Sequence, residues 1–243
     1  MNSDSRILSE LEHGKWVAEH GEEVWNWSSP AGRIRWARRV ALFKDFLGTP
    51  PGKVLEVGCG TGLFTAELAL TGHSVTAIDI SPELLAKAAE RVVGTNVTFA
   101  VENAYHTTFP AGTFDVVLGS SCLHHFDLNQ AVEEFRRILK ADGRMMFTEP
   151  NMLNPQIALQ KNVPWLKRLA GDSPDETAFI RFSLESKLRI AGFRDISIVP
   201  FDFVHPAIPS CMLEAMVSIL DAAEHIPLVR EIAGSLIIRC RRG

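Results

Sequence analysis

A short apolar run passes directly into three alternate glycines in the stretch Val54-Leu55-Glu56-Val57-Gly58-Cys59-Gly60-Thr61-Gly62-Leu63-Phe64. The apolar residues before the glycines predict a buried strand, and the spaced apolar residues after them predict a helix. Glycine lets a ligand approach the backbone closely. Strand, glycine turn and helix together therefore indicate a nucleotide-type binding site.

Two acidic residues indicate which ligand such a site would hold. Glu56 lies two residues before the first glycine, and Asp79 lies near the end of the next predicted strand, residues 73–80. NAD carries a pyrophosphate, which binds helix N-termini and is repelled by a carboxylate in the turn. S-adenosylmethionine (SAM) carries a sulfonium and an ammonium group, which Glu56 would attract. Asp79 suits the ribose hydroxyls of either ligand and does not discriminate between them.

At this stretch the chain resembles the class I SAM-dependent methyltransferases, whose first motif has the form acid-x-Gly-x-Gly-x-Gly. The resemblance implies an α/β fold with a doubly wound, mostly parallel sheet of seven strands in the order 3-2-1-4-5-7-6, the last strand antiparallel. It implies SAM as cofactor and S-adenosylhomocysteine as product. It also predicts a set of cofactor-binding residues: Glu56, Gly58, Cys59, Gly60, Gly62, Asp79, Ile80, Asn103, Ala104 and Ser120.

Position 103 departs from the family pattern. Family members usually have an acid followed by alanine there, and the acid accepts a hydrogen bond from the adenine amino group. This chain has Asn103-Ala104 instead. The amide oxygen of Asn103 can still accept that bond, but without a charge.

Length and composition limit the function classes. The 243 residues, 46% hydrophobic and 22% charged, are typical of one globular α/β domain. The net charge of −4 argues against a broad nucleic-acid-binding face. Four scattered cysteines without a C-x-x-C pair predict reduced thiols and a cytoplasmic location. A polar N-terminus and the lack of a long apolar run predict neither a signal peptide nor a membrane span. The oligomeric state stays open.

We expect a single methyltransferase domain over residues 1–243. Within it we expect an N-terminal helical cap (1–50), a SAM-binding core (53–150) and two insertions (152–180 and 205–233) that form the substrate pocket or a lid. The cap includes a predicted helix from about Ala31 to Leu47, with Arg35, Arg38 and Arg39 on one face. That face is interpreted as solvated, and the alternative is that the arginines meet an anionic group of the substrate.

Two adjacent histidines are the candidates for acid–base chemistry. His124 and His125 follow the predicted fourth strand, at the end of the sheet where α/β proteins bind ligands. Histidine has a suitable pKa for a general base near neutral pH. Leu-His-His occurs at this point in the related quinone C-methyltransferases and sugar O-methyltransferases. In some sugar enzymes an acid after the fifth strand joins the histidines in the acceptor site, and Glu149 matches it.

The candidate catalytic residues are His125, His124 and Glu149; the sequence does not decide which histidine is the base, and His125 is preferred. At least one of the two histidines is expected to be structural, hydrogen-bonded to backbone. The remaining histidines show no ligand spacing and no run of acids resembles a magnesium site, so we predict a metal-independent reaction. The Asn-Pro-Pro-aromatic motif expected for amino-methylation of nucleobases is absent.

The sequence thus predicts a SAM-dependent methyltransferase acting on a small molecule, at a hydroxyl oxygen. The first alternative is methylation at carbon of a quinone-like or lipid acceptor. Alternatives of another class are an NAD-dependent oxidoreductase and a SAM-binding protein without turnover. The identity of the acceptor is not predicted, because acceptor specificity in this superfamily lies outside the core motifs.

Overall fold

The computed structural model describes residues 3–20, 26–94, 96–169, 172, 176–206 and 208–243. Seven strands form one sheet in the order β3-β2-β1-β4-β5-β7-β6. Strand β7 runs antiparallel to both neighbours, and the other pairings are parallel. The predicted fold class and strand order are confirmed. The strands are β1 Lys53–Val57, β2 Ser74–Asp79, β3 Val97–Val101, β4 Phe114–Ser120, β5 Leu139–Pro150, β6 Phe193–Phe201 and β7 Ser235–Arg242.

Helices cover both faces and the carboxyl ends of the parallel strands. Their starts follow local rules: the Ser81 hydroxyl accepts a hydrogen bond from the backbone of Leu84, and the Asp127 carboxylate accepts two from residues 129 and 130. The helices are α1 Ser3–His20, α2 Pro30–Leu47, α3 Thr65–Leu68, α4 Pro82–Arg91, α5 Leu128–Ile138, α6 Pro155–Asn162, α7 Pro164–Leu169, α8 Arg181–Ile190, α9 Ser210–Ala223 and α10 Pro227–Arg230. Over the described ranges, no helix combines the length and hydrophobicity that crossing a membrane requires.

The sheet separates two apolar cores. One packs α5 and α8 against the sheet around Phe135 and Phe147, whose rings stack at 5.6 Å. The other packs α2 and α3 against the opposite face, around Phe43 and Phe64. The loops after β1, β2 and β4 follow the carboxyl ends of these strands, where open α/β sheets form their binding sites.

The prediction that the arginines of α2 form a solvated face is wrong. Arg39 is only 1% exposed and donates to the Asp202 carboxylate at 2.7 Å. Arg35 donates to the same carboxylate at 3.1 Å, and Arg38 binds Glu224 at 2.7 Å. The two carboxylates come from the end of β6 and from α9, which no local pattern in α2 could indicate.

Candidate active site

The glycine turn is fixed between β1 and β2. Gly58, Gly60 and Gly62 all have positive φ angles, of 64°, 53° and 78°. This region of backbone conformation favours glycine. The amide of Gly60 donates to the Asp79 carboxylate at 2.9 Å, and the amide of Cys59 donates to the Ile78 carbonyl at 3.0 Å. The turn is therefore tied to the end of β2.

The three glycines of the turn have different structural roles. A Cβ atom on Gly58 would lie 2.7 Å from the Cβ of Cys122, and one on Gly62 would lie 2.9 Å from the Cβ of Ala88. Gly62 therefore allows α4 to pack against the turn, and it lies off the wall of the cavity described next. Among the three glycines, Gly58 and Gly60 line that wall.

A cavity of about 430 Å³ opens at the carboxyl ends of the central strands, between the glycine turn and the cap helix α1. Its volume falls in the range typical of small-molecule sites. Three of the predicted site residues do not line it: Glu56 and Glu149 lie beneath the wall and Gly62 packs on α4. The predicted residues that do line it are Gly58, Cys59, Gly60, Asp79, Ile80, Asn103, Ala104, Ser120, His124 and His125.

Glu56 lies buried beneath the turn, and its carboxyl group is incompletely hydrogen-bonded. Within the part of the chain that the structure describes, one of its carboxylate oxygens has no hydrogen-bond partner. Burial raises the pKa of Glu56 to about 8, an effect that the nearby Thr65 hydroxyl only partly opposes. A cationic ligand in the cavity would supply the missing positive charge. This orphaned carboxylate fits the ammonium and sulfonium groups of SAM and would repel a pyrophosphate.

Asp79 and Asn103 are positioned for the nucleoside part of such a ligand. The Asp79 oxygens accept hydrogen bonds from the amides of Gly60 and Ser81, both at 2.9 Å. The backbone of Ile80 also interacts with this carboxylate, which keeps acceptor capacity for a ribose hydroxyl. The amide oxygen of Asn103 accepts from the backbone of Tyr105 at 3.0 Å, which fixes its orientation at the cavity wall. Its second lone pair is the one that an adenine amino group would use.

His124 is held between two carboxylates. Its Nδ1 donates to Glu149 at 2.6 Å and its Nε2 donates to Glu176 at 3.2 Å. Glu149 also accepts hydrogen bonds from the amides of Cys122 and Leu123, so it fixes the whole loop after β4. The expected structural histidine is thus present, but its ring binds side-chain carboxylates and not backbone.

The two carboxylates decide the protonation of His124. Burial alone would lower its pKa, but the hydrogen bonds and charges of Glu149 and Glu176 raise the pKa of His124 to about 9. Burial would raise the pKa of Glu176, but the hydrogen bond from His124 and the charges of His125, His124 and Lys161 hold the pKa of Glu176 well below its usual range. His124 is therefore a cation at neutral pH and has no lone pair with which to accept a proton.

His125 lies beside His124 in a different setting. Their ring centroids are 4.3 Å apart, and the Nδ1 of His125 lies 3.0 Å from the Glu10 carboxylate of the cap helix. Donation from Nδ1 to Glu10 leaves the lone pair on Nε2. His125 also lines the cavity.

One group of side chains has the composition of a metal site. Ligand atoms of His124, His125 and Glu176 all lie within 4.8 Å of one another. Glu176, however, already binds the ammonium group of Lys161, which also lies 3.0 Å from Asp172. The ammonium group and the protonated His124 already balance the charge of Glu176, so we interpret this group as an ion-pair network.

Sequence reasoning missed three of these residues. Glu10 belongs to the cap helix, and Lys161 and Glu176 belong to the region expected as the first insertion. None lies in a recognisable motif. The only signal was the general expectation that the cap and the insertion contribute to the pocket.

The sheet order and the glycine turn with a buried acid beneath it are those of the class I SAM-dependent methyltransferase fold. Residues 55–147 match the family described as a methyltransferase domain. The match covers less than half of the chain and includes the glycine turn and Asp79. This match supports SAM and not NAD as the ligand of the glycine turn.

Relatives in the class differ in what they methylate. The chain is 34% identical over 157 residues to a demethylmenaquinone methyltransferase of Tropheryma whipplei, covering 61% of this chain and 64% of that protein. It is 39% identical over 123 residues to a nocamycin O-methyltransferase of Saccharothrix syringae, covering 47% and 42%. The chain thus spans less than two thirds of these curated relatives. A SAM-dependent methyltransferase of Thermotoga maritima, a possible histamine N-methyltransferase, has a similar fold with a TM-score of 0.67 at 19% identity, covering 95% of this chain and 100% of that one.

Proposed function

We propose that this protein transfers a methyl group from SAM to a hydroxyl oxygen of a small molecule, with His125 as the general base. The observation that carries the proposal is the contrast between the two adjacent histidines. His124 is held as a cation by Glu149 and Glu176, whereas His125 has one ring nitrogen oriented by Glu10 and lines the cavity.

The chain's own residues would hold the cofactor as follows. Glu56 faces the positive charge of the methionine part, Gly60 gives the ligand room at the backbone, and Asp79 accepts from the ribose hydroxyls. Asn103 accepts from the adenine amino group. When bound, SAM supplies an activated methyl group on a sulfonium, which is already a good leaving group.

His125 would remove the proton from the acceptor hydroxyl as that oxygen forms its bond to the methyl carbon. The proton ends on Nε2, and the sulfur keeps the electron pair of the broken carbon–sulfur bond. Glu10 holds the ring in the tautomer that has its lone pair on Nε2 and stabilises the imidazolium that forms. This chemistry needs no metal ion, because the base is supplied by the protein.

His124 would act as a positioning residue. Its charge holds Glu149 and Glu176 together, and through them it joins the loop after β4 to the insertion that carries Lys161 and Glu176. These ion pairs would keep the neighbouring His125 in position at the cavity wall. Glu149 would then position the loop and His124, and would not itself contact the acceptor.

A second candidate function is methylation at carbon of a quinone-like or lipid acceptor. It is favoured by the similarity to a demethylmenaquinone methyltransferase. It is also favoured by apolar side chains that line the cavity, among them Phe64, Phe126 and Ile157.

Turnover of a His125→Ala variant tests the proposal. Methyl-labelled SAM is incubated with small-molecule extracts, and the labelled product is identified by mass and by the chemical shift of the new methyl group. His125→Ala should leave SAM affinity in calorimetry unchanged, while turnover falls about 10²–10⁴-fold, the usual contribution of a general base. The exposed His106, replaced by alanine, is the matched control.

The pH–rate profile separates the two candidates. For oxygen methylation, the wild-type rate should rise with pH as a base loses its proton, and this limb should be absent in His125→Ala. Normal turnover of His125→Ala would refute the role of the base. A labelled methyl group on carbon would replace the first candidate by the second.

A further inference from the structure

Arg35 has more hydrogen-bonding capacity than its neighbours use. Its Nε donates to the Asp202 carboxylate at 3.1 Å, and its guanidinium lies over the Trp27 ring, 5.5 Å from the centroid. Its two Nη groups make no hydrogen bond with any side chain or backbone atom in the described ranges. The side chain is 22% exposed and lines the same cavity as His125.

The carboxylate that Arg35 uses is shared. Asp202 also accepts from Arg39 at 2.7 Å, so that one negative charge faces two guanidinium groups. Arg38 is held mainly elsewhere, by both carboxylate oxygens of Glu224. The positive charge of Arg35 also acts on His205. Burial lowers the pKa of His205, and the charge of Arg35 lowers it further.

The other cations near the acceptor end are satisfied within the protein. Lys161 binds Glu176 and Asp172, and His124 donates both of its ring N–H groups to carboxylates. Arg6, on the cap helix, also lines the cavity, and its charge acts on Tyr105, two residues after Asn103. It therefore belongs to the adenine end. Arg35 lines the wall together with Ser235, at the start of β7.

We propose that the methyl acceptor carries an anionic group, a carboxylate or a phosphate, which accepts hydrogen bonds from the Nη groups of Arg35. This inference rests on the proposed methyl transfer and adds the substrate class. A guanidinium with two unused N–H faces and a fixed plane matches the two oxygens of a carboxylate or phosphate. Asp202 and Trp27 hold that plane in place before the acceptor binds, so little side-chain entropy is lost on binding.

The first test measures anion binding without any acceptor. Thermal unfolding of the protein saturated with S-adenosylhomocysteine is followed in inorganic phosphate, in acetate, and in sodium chloride of equal ionic strength. At least one of the two anions should raise Tm above the chloride value, because a ligand that binds the folded state stabilises it. The rise should be lost in Arg35→Gln and kept in Arg33→Gln, which changes an exposed arginine of the same helix.

The second test uses the acceptor itself. Small-molecule extract is separated on a strong anion exchanger, and both fractions are assayed with methyl-labelled SAM. The labelled methyl group should be transferred to a compound in the fraction that the anion exchanger retains. Prior phosphatase treatment should abolish it if the group is a phosphate, and prior conversion of carboxylates to amides should abolish it if the group is a carboxylate. Arg35→Gln should raise KM at least tenfold with a smaller change in kcat, Arg35→Lys should raise it less, and Arg33→Gln should match the wild type.

The outcomes distinguish the two proposals. Label confined to the unretained fraction, or an unchanged KM in Arg35→Gln, would overturn the anionic acceptor while leaving methyl transfer intact. Label in neither fraction would count against methyl transfer, and the thermal test would then decide the anion site alone. An anion-specific rise in Tm that persists in Arg35→Gln, or no such rise in the wild type, would refute the site.

Discussion

Replacing His124 by glutamine should destabilise the protein strongly at pH 6 and only weakly at pH 9.5. Glutamine keeps a hydrogen-bonding side chain in the buried space between Glu149 and Glu176 but cannot carry a charge. The wild-type histidine has a folded-state pKa of about 9 against its ordinary value of 6.5. The folded state therefore binds a proton that the unfolded state releases over that pH range.

The sign and size follow from linkage. A raised folded-state pKa contributes stability that is fully present below pH 6.5 and is lost as the pH rises through 9. The difference of about 2.5 pKa units corresponds to about 3 kcal/mol at 1.36 kcal/mol per unit. Other groups, such as Glu56, also titrate in this range, but they are present in both proteins and cancel in the difference.

Urea unfolding of wild type and His124→Gln at pH 6, 7.5 and 9.5 measures this difference. The gap between the two free energies of unfolding should shrink by about 3 kcal/mol from the lowest pH to the highest. His106→Gln, at an exposed histidine, should show a small gap that stays constant within about 0.5 kcal/mol.

A gap for His124→Gln that does not change with pH would refute the reasoning. It would mean that His124 is neutral in the folded protein at pH 6, and the contrast with His125 on which the proposed base depends would disappear. A gap that grows with pH would mean that burial, and not the carboxylates, controls the histidine.

Two further predictions concern the glycine turn. SAM affinity should rise with pH up to about 8 and then level, because the ionised form of Glu56 binds the cation. Calorimetry should show that the ratio of wild-type affinity to Glu56→Gln affinity rises over the same pH range. A ratio that stays constant with pH would contradict this prediction. Gly62→Ala should lower the free energy of unfolding in urea by about 1–3 kcal/mol more than Gly112→Ala. Both glycines have positive φ, but a Cβ at Gly62 meets Ala88 whereas one at Gly112 meets open space; equal losses would show that packing against α4 is not the reason for the glycine.

The sequence by itself determined the features that depend on neighbouring residues. The apolar run before Gly58 forms β1, because a strand with two covered faces needs continuous apolar side chains. The three glycines adopt positive φ angles, and Asp79 ends β2 beside the turn. The sequence also indicated SAM as the cofactor, whereas the contact of Glu56 with its positive charge stays a prediction.

Tertiary structure decided the roles of side chains whose partners lie far along the chain. His124 and His125 are equivalent as sequence, and they differ only because Glu176, 52 residues away, and Glu10, 115 residues away, contact different rings. The roles of Arg35 and Arg39 likewise could not be read from α2, because both donate to Asp202, which lies more than 160 residues away. A pKa or an unused hydrogen bond is a property of burial and distance, and neither is encoded in the residue or its neighbours.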